Sequence, residues 1–191
     1  LTFSLLFDPT TLGIVQRDWP RLSLSAGLAI CLALDELLGD QLCSLKWPND
    51  VLLKNRKISG ILVEAGAGAA GNLVIGIGIN VNNSFRDAPA PLPATATSLV
   101  DSVNQNFSLE EVLVRVLQEL ARQLDRLANQ DSTLAADWQQ RSALNGRTLE
   151  VVTEKHARQG ICQGIDQHGA LILETMEGPV QIFTGQVRII K

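Results

Sequence analysis

Between Leu22 and Leu38 the chain runs through a segment rich in Leu and Ala, apolar around most of its helical circumference. Both residue types are strong helix formers, and Gly39 supplies a natural stop. A helix without a polar face cannot lie on a surface, so this segment predicts a heavily buried helix. A second helix is predicted over Ser108–Leu127, where Ser108 and Glu111 fit a capping box. In it Leu109, Val112, Leu113, Val116, Leu117, Leu120, Leu124 and Leu127 mark one face at helical spacing. That stripe reads as core rather than as a cofactor site.

The rest of the first 144 residues reads as strand and loop. Leu1–Phe7 has the length and apolarity of a strand and ends at Asp8-Pro9. Leu42–Trp47 is predicted to run as a strand into the turn Pro48-Asn49-Asp50. Val51–Leu53 and Ile58–Glu64 flank the polar tip Lys54-Asn55-Arg56-Lys57, which predicts a hairpin. Residues 65–71 are only alanine and glycine and predict a flexible turn. Leu73–Val81 reads as a strand with Gly76 and Gly78 on one face. Such a face admits a flat or bulky ligand against the backbone, or else close sheet packing or a bulge. Residues 82–99, with Pro89, Pro91 and Pro93, read as a loop.

A composition shift falls at Asn145-Gly146. Five short strand patterns follow, over 149–153, 160–165, 170–174, 180–183 and 187–190. They predict a small β-barrel that must pack on the first domain, being too small to be robust alone. The expected division is therefore 1–144 and 145–191.

Length and charge narrow the function. A chain of 191 residues holds one domain, or one domain and a small module. No run of eighteen apolar residues offers a membrane span. A net charge of −4 argues against a general nucleic-acid or anionic-membrane surface. Cys31, Cys43 and Cys162 are odd in number and widely spaced, giving no metal motif and no disulfide framework. They predict buried or free thiols in a reducing cytoplasm. His156 and His168 read as surface residues. The chain begins in mid-strand without methionine, which predicts a fragment of a longer one.

Against this acidic background, residues 46–57 hold Lys46, Lys54, Arg56 and Lys57 with a single acid, Asp50. A basic hairpin opposite a glycine-bearing strand suits a carboxylate or phosphate ligand, unless it is simply a solvated tip. Lys46 and Lys57 adjoin apolar runs, where a lysine needs a partner or a ligand. No P-loop is present, because residues 66–71 lack the following lysine and hydroxyl. Gly76-Ile77-Gly78 is no dinucleotide fingerprint either.

Taken in order, Lys46-Trp47-Pro48-Asn49-Asp50, then Arg56-Lys57-Ile58-Ser59-Gly60-Ile61-Leu62-Val63-Glu64, then Gly76-Ile77-Gly78-Ile79-Asn80-Val81-Asn82, this sequence resembles the biotin–protein ligases. Ala96-Thr97-Ser98-Leu99 matches a later element of that family, and 164–171 resembles the turn of its SH3-like C-terminal domain. The resemblance implies an α+β fold: a mixed sheet with flanking helices, related to class II synthetases and lipoate ligases, then an SH3-like barrel. It implies that biotin carboxylate attacks the α-phosphorus of ATP, with Mg²⁺ accompanying the nucleotide. The biotinyl-5′-adenylate then passes its acyl group to a lysine of a biotin carrier protein.

Carried over residue by residue, Lys57 matches the family's catalytic lysine and Asp50 the acid of the Trp-Pro-Asn-Asp turn. Gly60, Gly76 and Gly78, with Lys57, would form the biotin-binding wall. Lys46, Asn49 and Asn80 would serve ATP and the adenylate, Asn80 at the adenine base and Asn49 also by ordering its turn. Trp47 reads as structural or as ligand-contacting. No protein-held metal is implied, and nothing demands or forbids a homodimer. In this family a Gly/Arg-rich loop closes over the adenylate, upstream of the strand that residues 1–7 match; it lies outside this chain, as do the ureido-binding residues and any winged-helix DNA-binding domain. Two other readings stand beside the ligase: a lipoate or octanoyl ligase, and a non-catalytic biotin- or adenylate-binding paralogue.

Overall fold

The computed structural model describes residues 1–66, 71–153 and 156–190. Strand β1 (Thr2–Phe7) opens the chain, and a short 3₁₀ turn follows from Pro9, capped by the Asp8 carboxylate. Helix α1 (Trp19–Leu38) ends at Gly39, whose φ of 69° is left-handed. Then come β2 (Cys43–Lys46), β3 (Asp50–Leu53), β4 (Arg56–Ala65) and β5 (Leu73–Ile79). Helices α2 (Leu92–Thr95), α3 (Leu99–Val103), α4 (Leu109–Ala128) and α5 (Leu134–Arg141) follow. The chain closes with β6 (Thr148–Val152), β7 (Ala157–Ile165), β8 (Leu171–Thr175), β9 (Gly178–Ile182) and β10 (Gln186–Ile189).

The helix that the sequence places in the interior is there because it is the middle layer. On one side α1 packs against β2, β3 and β4, and on the other against α4. Helix and sheet approach closely at Gly27, where a methyl group would lie 2.7 Å from Leu45 Cδ2. Val112, Val116, Leu120 and Leu127 of the predicted α4 stripe are buried, while Leu109 at its start is 47% exposed. Ser108 accepts from the Glu111 amide, as the capping box predicts.

One expectation, the mixed sheet, is corrected, and the closed barrel is not seen among the described residues. The first sheet has the order β1-β5-β4-β3-β2, and every pairing between its strands is antiparallel, so it is not mixed. Short connections such as the Lys54-Asn55 tip, both residues at positive φ, permit only antiparallel neighbours. The second sheet has the order β10-β6-β7-β8-β9 and is antiparallel throughout; among the described residues no pairing of β9 with β10 closes it into a barrel. The predicted 82–99 loop contains α2 and the start of α3, and α5 arises where no helix is expected. The expected 65–71 turn falls mostly on residues 67–70, outside the described residues.

The two sheets meet through α5 and the Trp47 side chain. Gln139 on α5 donates to the Gln163 carbonyl and accepts from the Ile165 amide. Buried Asp35 accepts from the Leu42 and Cys43 amides and pairs with Arg141, fixing β2 to α1 and α5. All three cysteines are buried and free, and His156 and His168 are exposed. Among the described residues, no helix is long and apolar enough to cross a membrane.

Candidate functional site

The first sheet has one covered and one open face. Ile61, Ile75, Ile77 and Ile79 are buried beneath the helices. Thr2, Ser4, Leu6 and Leu62 on the other face are exposed. Paired residues in antiparallel strands share a face, so the register reads as rows across the sheet. One row runs through all five strands as Lys46, Asp50, Gly60, Gly78 and Thr2. The next runs Leu62, Gly76 and Ser4. The predicted acid, the three predicted glycines and Lys46 thus lie on one face.

Lys57 reaches this face only because of an irregularity. It stands three residues from Gly60, and regular alternation would put the two on opposite faces. The register shifts between Val51 and Leu52, which pair with Ser59 and Lys57, leaving Ile58 as the extra residue. This β-bulge turns Lys57 onto the open face while Ile58 and Ser59 both stay buried. The Lys57 ammonium then pairs with Asp50 Oδ1 at 2.5 Å. It lies over Gly60, where a methyl group would come within 3.2 Å of Nζ. A methyl at Gly78 would meet no atom within 4 Å. A half-exposed cation therefore overhangs a stretch of bare backbone.

The backbone around Lys57 is held from the far side by the 96–99 element. The Thr97 amide donates to the Lys57 carbonyl at 2.9 Å, and the Leu99 amide to the Asn80 carbonyl at 3.1 Å. Asn80 itself donates from its amide to Ile58 and accepts at Oδ1 from Asn83. A cavity of about 380 Å³ results, lined by Thr2, Lys57, Gly60, Gly78, Asn80 and Ala96 among others. It adjoins a second hollow, of about 280 Å³, running past Ser4, Leu62 and Gly76. Volume does not single this place out, since a cavity of about 390 Å³ lies between residues 156–159 and 175–177. Convergence of charge, amide and bare backbone does.

Lys46 stands apart from the others, whereas Asn49 lines the second hollow with Lys57, Gly60, Gly76 and Gly78. Lys46, at the end of the row, lines a separate cavity with Asp50 and with Gly185–Arg188 of the second sheet. Asn49 spends its amide nitrogen on the Ile61 carbonyl, 2.8 Å away, and so holds its own turn. Trp47 is buried and donates from its indole to the Gly169 carbonyl. Sequence reasoning missed Thr2 and Ser4, whose alternation with Phe3 and Leu5 was the available signal. Among the described residues no group of three or more His, Cys, Asp or Glu is arranged to hold a metal ion.

Residues 1–80 match the Biotin/lipoate A/B protein ligase family. The sequence is 31% identical over 189 residues to the Bifunctional ligase/repressor BirA of Bacillus subtilis, covering 97% of this chain and 57% of that protein. It is 33% identical over 165 residues to the Biotin–[acetyl-CoA-carboxylase] ligase of Paracoccus denitrificans, covering 83% of this chain and 68% of that one. The structure of biotin protein ligase from Aquifex aeolicus in complex with biotin and ATP is similar with a TM-score of 0.86 at 28% identity, over 100% of this chain and 78% of that chain. The chain spans little more than half the length of the first of these relatives.

Proposed function

The chain belongs to the biotin protein ligase family, and from that premise we propose that the open face of its first sheet is the adenylation site of an ATP-dependent biotin ligase. The observation that carries this reading is the Lys57 ammonium, paired with Asp50 and overhanging Gly60 and Gly78. Biotin would lie along the glycine rows, with Gly60, Gly76 and Gly78 admitting its rings close to the backbone. Its carboxylate oxygen attacks the α-phosphorus of ATP, the bond to the bridging oxygen breaks, and pyrophosphate leaves. Charge builds on the α-phosphoryl oxygens as this happens. Lys57 would be the cation that meets both the carboxylate and that phosphoryl group.

Asp50 fixes the Lys57 ammonium, and Asn49 holds the turn that carries Asp50. Asn80, at the Lys57 end of the cavity, is offered to the adenine, since an amide can donate and accept together. Lys46, beyond Asp50 on the same row, is assigned to the departing phosphates. Magnesium would arrive on those phosphates, which with water supply the oxygen ligands that Mg²⁺ accepts. A lysine amine of a biotin carrier protein, such as that of acetyl-CoA carboxylase, then attacks the adenylate's carbonyl and AMP leaves.

We assign 1–144 to the catalytic domain and 145–191 to an SH3-like C-terminal module. The separate second sheet, beginning at Thr148 after α5, supports that division. The test is mass spectrometry of the protein mixed with ATP, Mg²⁺ and either biotin or lipoate. Biotinyl-adenylate is expected. Lipoyl-adenylate instead would move the chain to the sister activity, and neither product, with biotin still bound, would leave a binding paralogue.

A further inference from the structure

The three residues joining β2 to β3 deliver Asp50 to the open face, and the stretch Trp47–Asp50 is held by three parts of the molecule: the β7–β8 turn, α1 and β4. The Trp47 indole, 2% exposed, donates from Nε1 to the Gly169 carbonyl at 3.0 Å. The Pro48 carbonyl accepts from the Ser23 hydroxyl on α1 at 3.1 Å. Asn49 is joined to β4 twice, donating to the Ile61 carbonyl and accepting from the Ile61 amide at 2.9 Å. Asp50 ends on Lys57. The last three anchors come from the first sheet and its helix, whereas that of Trp47 comes from the turn between β7 and β8 in the second sheet.

That turn is built to present a carbonyl. Asp166 accepts from the His168 amide at 2.8 Å and the Ala170 amide at 2.9 Å, and from the Gln181 side chain on β9 at 3.0 Å. Gly169 has φ near +83°, a left-handed conformation that favours glycine. A methyl group there would press on Leu24 Cδ1 at 3.3 Å and Arg21 Cγ at 3.4 Å, so the turn touches α1 at the same residue that meets the indole. If the turn withdrew, a buried N–H would lose its acceptor, and a buried donor without a partner is costly. Trp47 is thus seated fully only when the second sheet is docked.

We infer that Trp47 is a positioning residue: its indole N–H ties the placement of Asp50, and through it the Lys57 ammonium, to docking of the C-terminal sheet. The inference rests on the reading of the Lys57 face as the adenylation site. Biotin lies on the glycine rows of β4 and β5, whose register Trp47 does not set. Its loss therefore acts on charge stabilisation at phosphorus more than on substrate binding.

Two substitutions test this in the whole protein. Trp47→Phe keeps a ring in the pocket and deletes the N–H; Asp166→Ala loosens the turn from the exposed side. Both are followed by steady-state adenylation with biotin and ATP, and by hydrogen exchange at the Ile61 amide, which reports the Asn49 turn without any ligand. Each variant is expected to lower kcat about tenfold, with KM for biotin within about threefold, and to speed Ile61 exchange. The double variant should be no slower than Trp47→Phe, because both changes cut one link. Unchanged kcat and Ile61 exchange in the single variants would overturn the inference even if their melting temperatures fell, as would additive losses in the double variant. Absence of adenylate from the unsubstituted protein would refute the ligase reading instead, while Ile61 exchange would still decide whether the latch exists.

Discussion

The two sheets are both five-stranded and antiparallel, and both carry glycines, but the glycines serve opposite ends. In the first sheet, Gly78 faces open space and Gly76 has only ordinary contacts, the nearest at 3.7 Å. In the second, a methyl at Gly160 would overlap the Glu174 carbonyl and crowd Leu173 Cγ at 3.0 Å, and one at Gly164 would overlap the Gln139 side chain. One set leaves the space above its backbone open. The other makes room for the protein's own packing. A glycine in a strand pattern is therefore ambiguous until the atoms above it are known.

The largest expected effect is at the cation over the open set. Lys57→Ala should lower adenylate formation by on the order of 10²-fold or more. Its melting temperature should hardly change, because the side chain is half exposed. Activity within a few-fold of the unsubstituted protein would sink the assignment. The glycine contrast is tested more directly by paired substitutions. Gly160→Ala should destabilise by about 1–3 kcal/mol through overpacking, read by urea or thermal unfolding, with catalysis in the folded fraction intact. Gly78→Ala should leave unfolding within about 0.5 kcal/mol and weaken biotin binding on the order of tenfold, because a methyl then occupies ligand space. Swapped outcomes would break the comparison.

A smaller effect should appear in acid at the connection between α4 and α5. The Arg126 side chain, helped by the Thr133 amide and hydroxyl, draws the Asp131 carboxyl down from its ordinary 3.8 to about 2. A carboxyl lowered in the folded state stabilises above its unfolded value and loses that contribution as pH falls through its folded value. The melting-temperature gap between the unsubstituted protein and Asp131→Asn should therefore shrink as pH falls from about 4 to about 2. A constant gap would show that the contact at Asp131 is not electrostatic. Least of all should the thiols respond. Burial pushes Cys31 up to about 12, so alkylation at pH 8 should await unfolding.

Much of the architecture was legible because it rests on periodicity and on local chemistry. The Leu22–Leu38 segment has no polar face, and it is the layer between sheet and helix. The Ser108–Glu111 cap and the tip at Lys54-Asn55 need only neighbours in the chain to form. Helix α5 escaped notice because it is short and half polar; its signal was Leu134 and Trp138, four apart and both fully buried. The cations and glycines of the site could be named, but their arrangement could not. Lys46 and Lys57 look alike as residues beside apolar runs, yet they line different cavities.

What the sequence determined by itself was which residues seek the interior, where the chain turns, and which side chains could meet an anion. Those are properties of a residue and its near neighbours. Only the tertiary structure decided strand order, the antiparallel character of the first sheet, and the face on which Lys57 emerges. The last depends on the extra residue at Ile58, whose burial outweighs regular alternation and turns the lysine toward Asp50. The same is true of Trp47, whose hydrogen-bond acceptor lies 122 residues away. Such contacts are chosen by competition among distant surfaces for burial, and no local pattern records which surface wins.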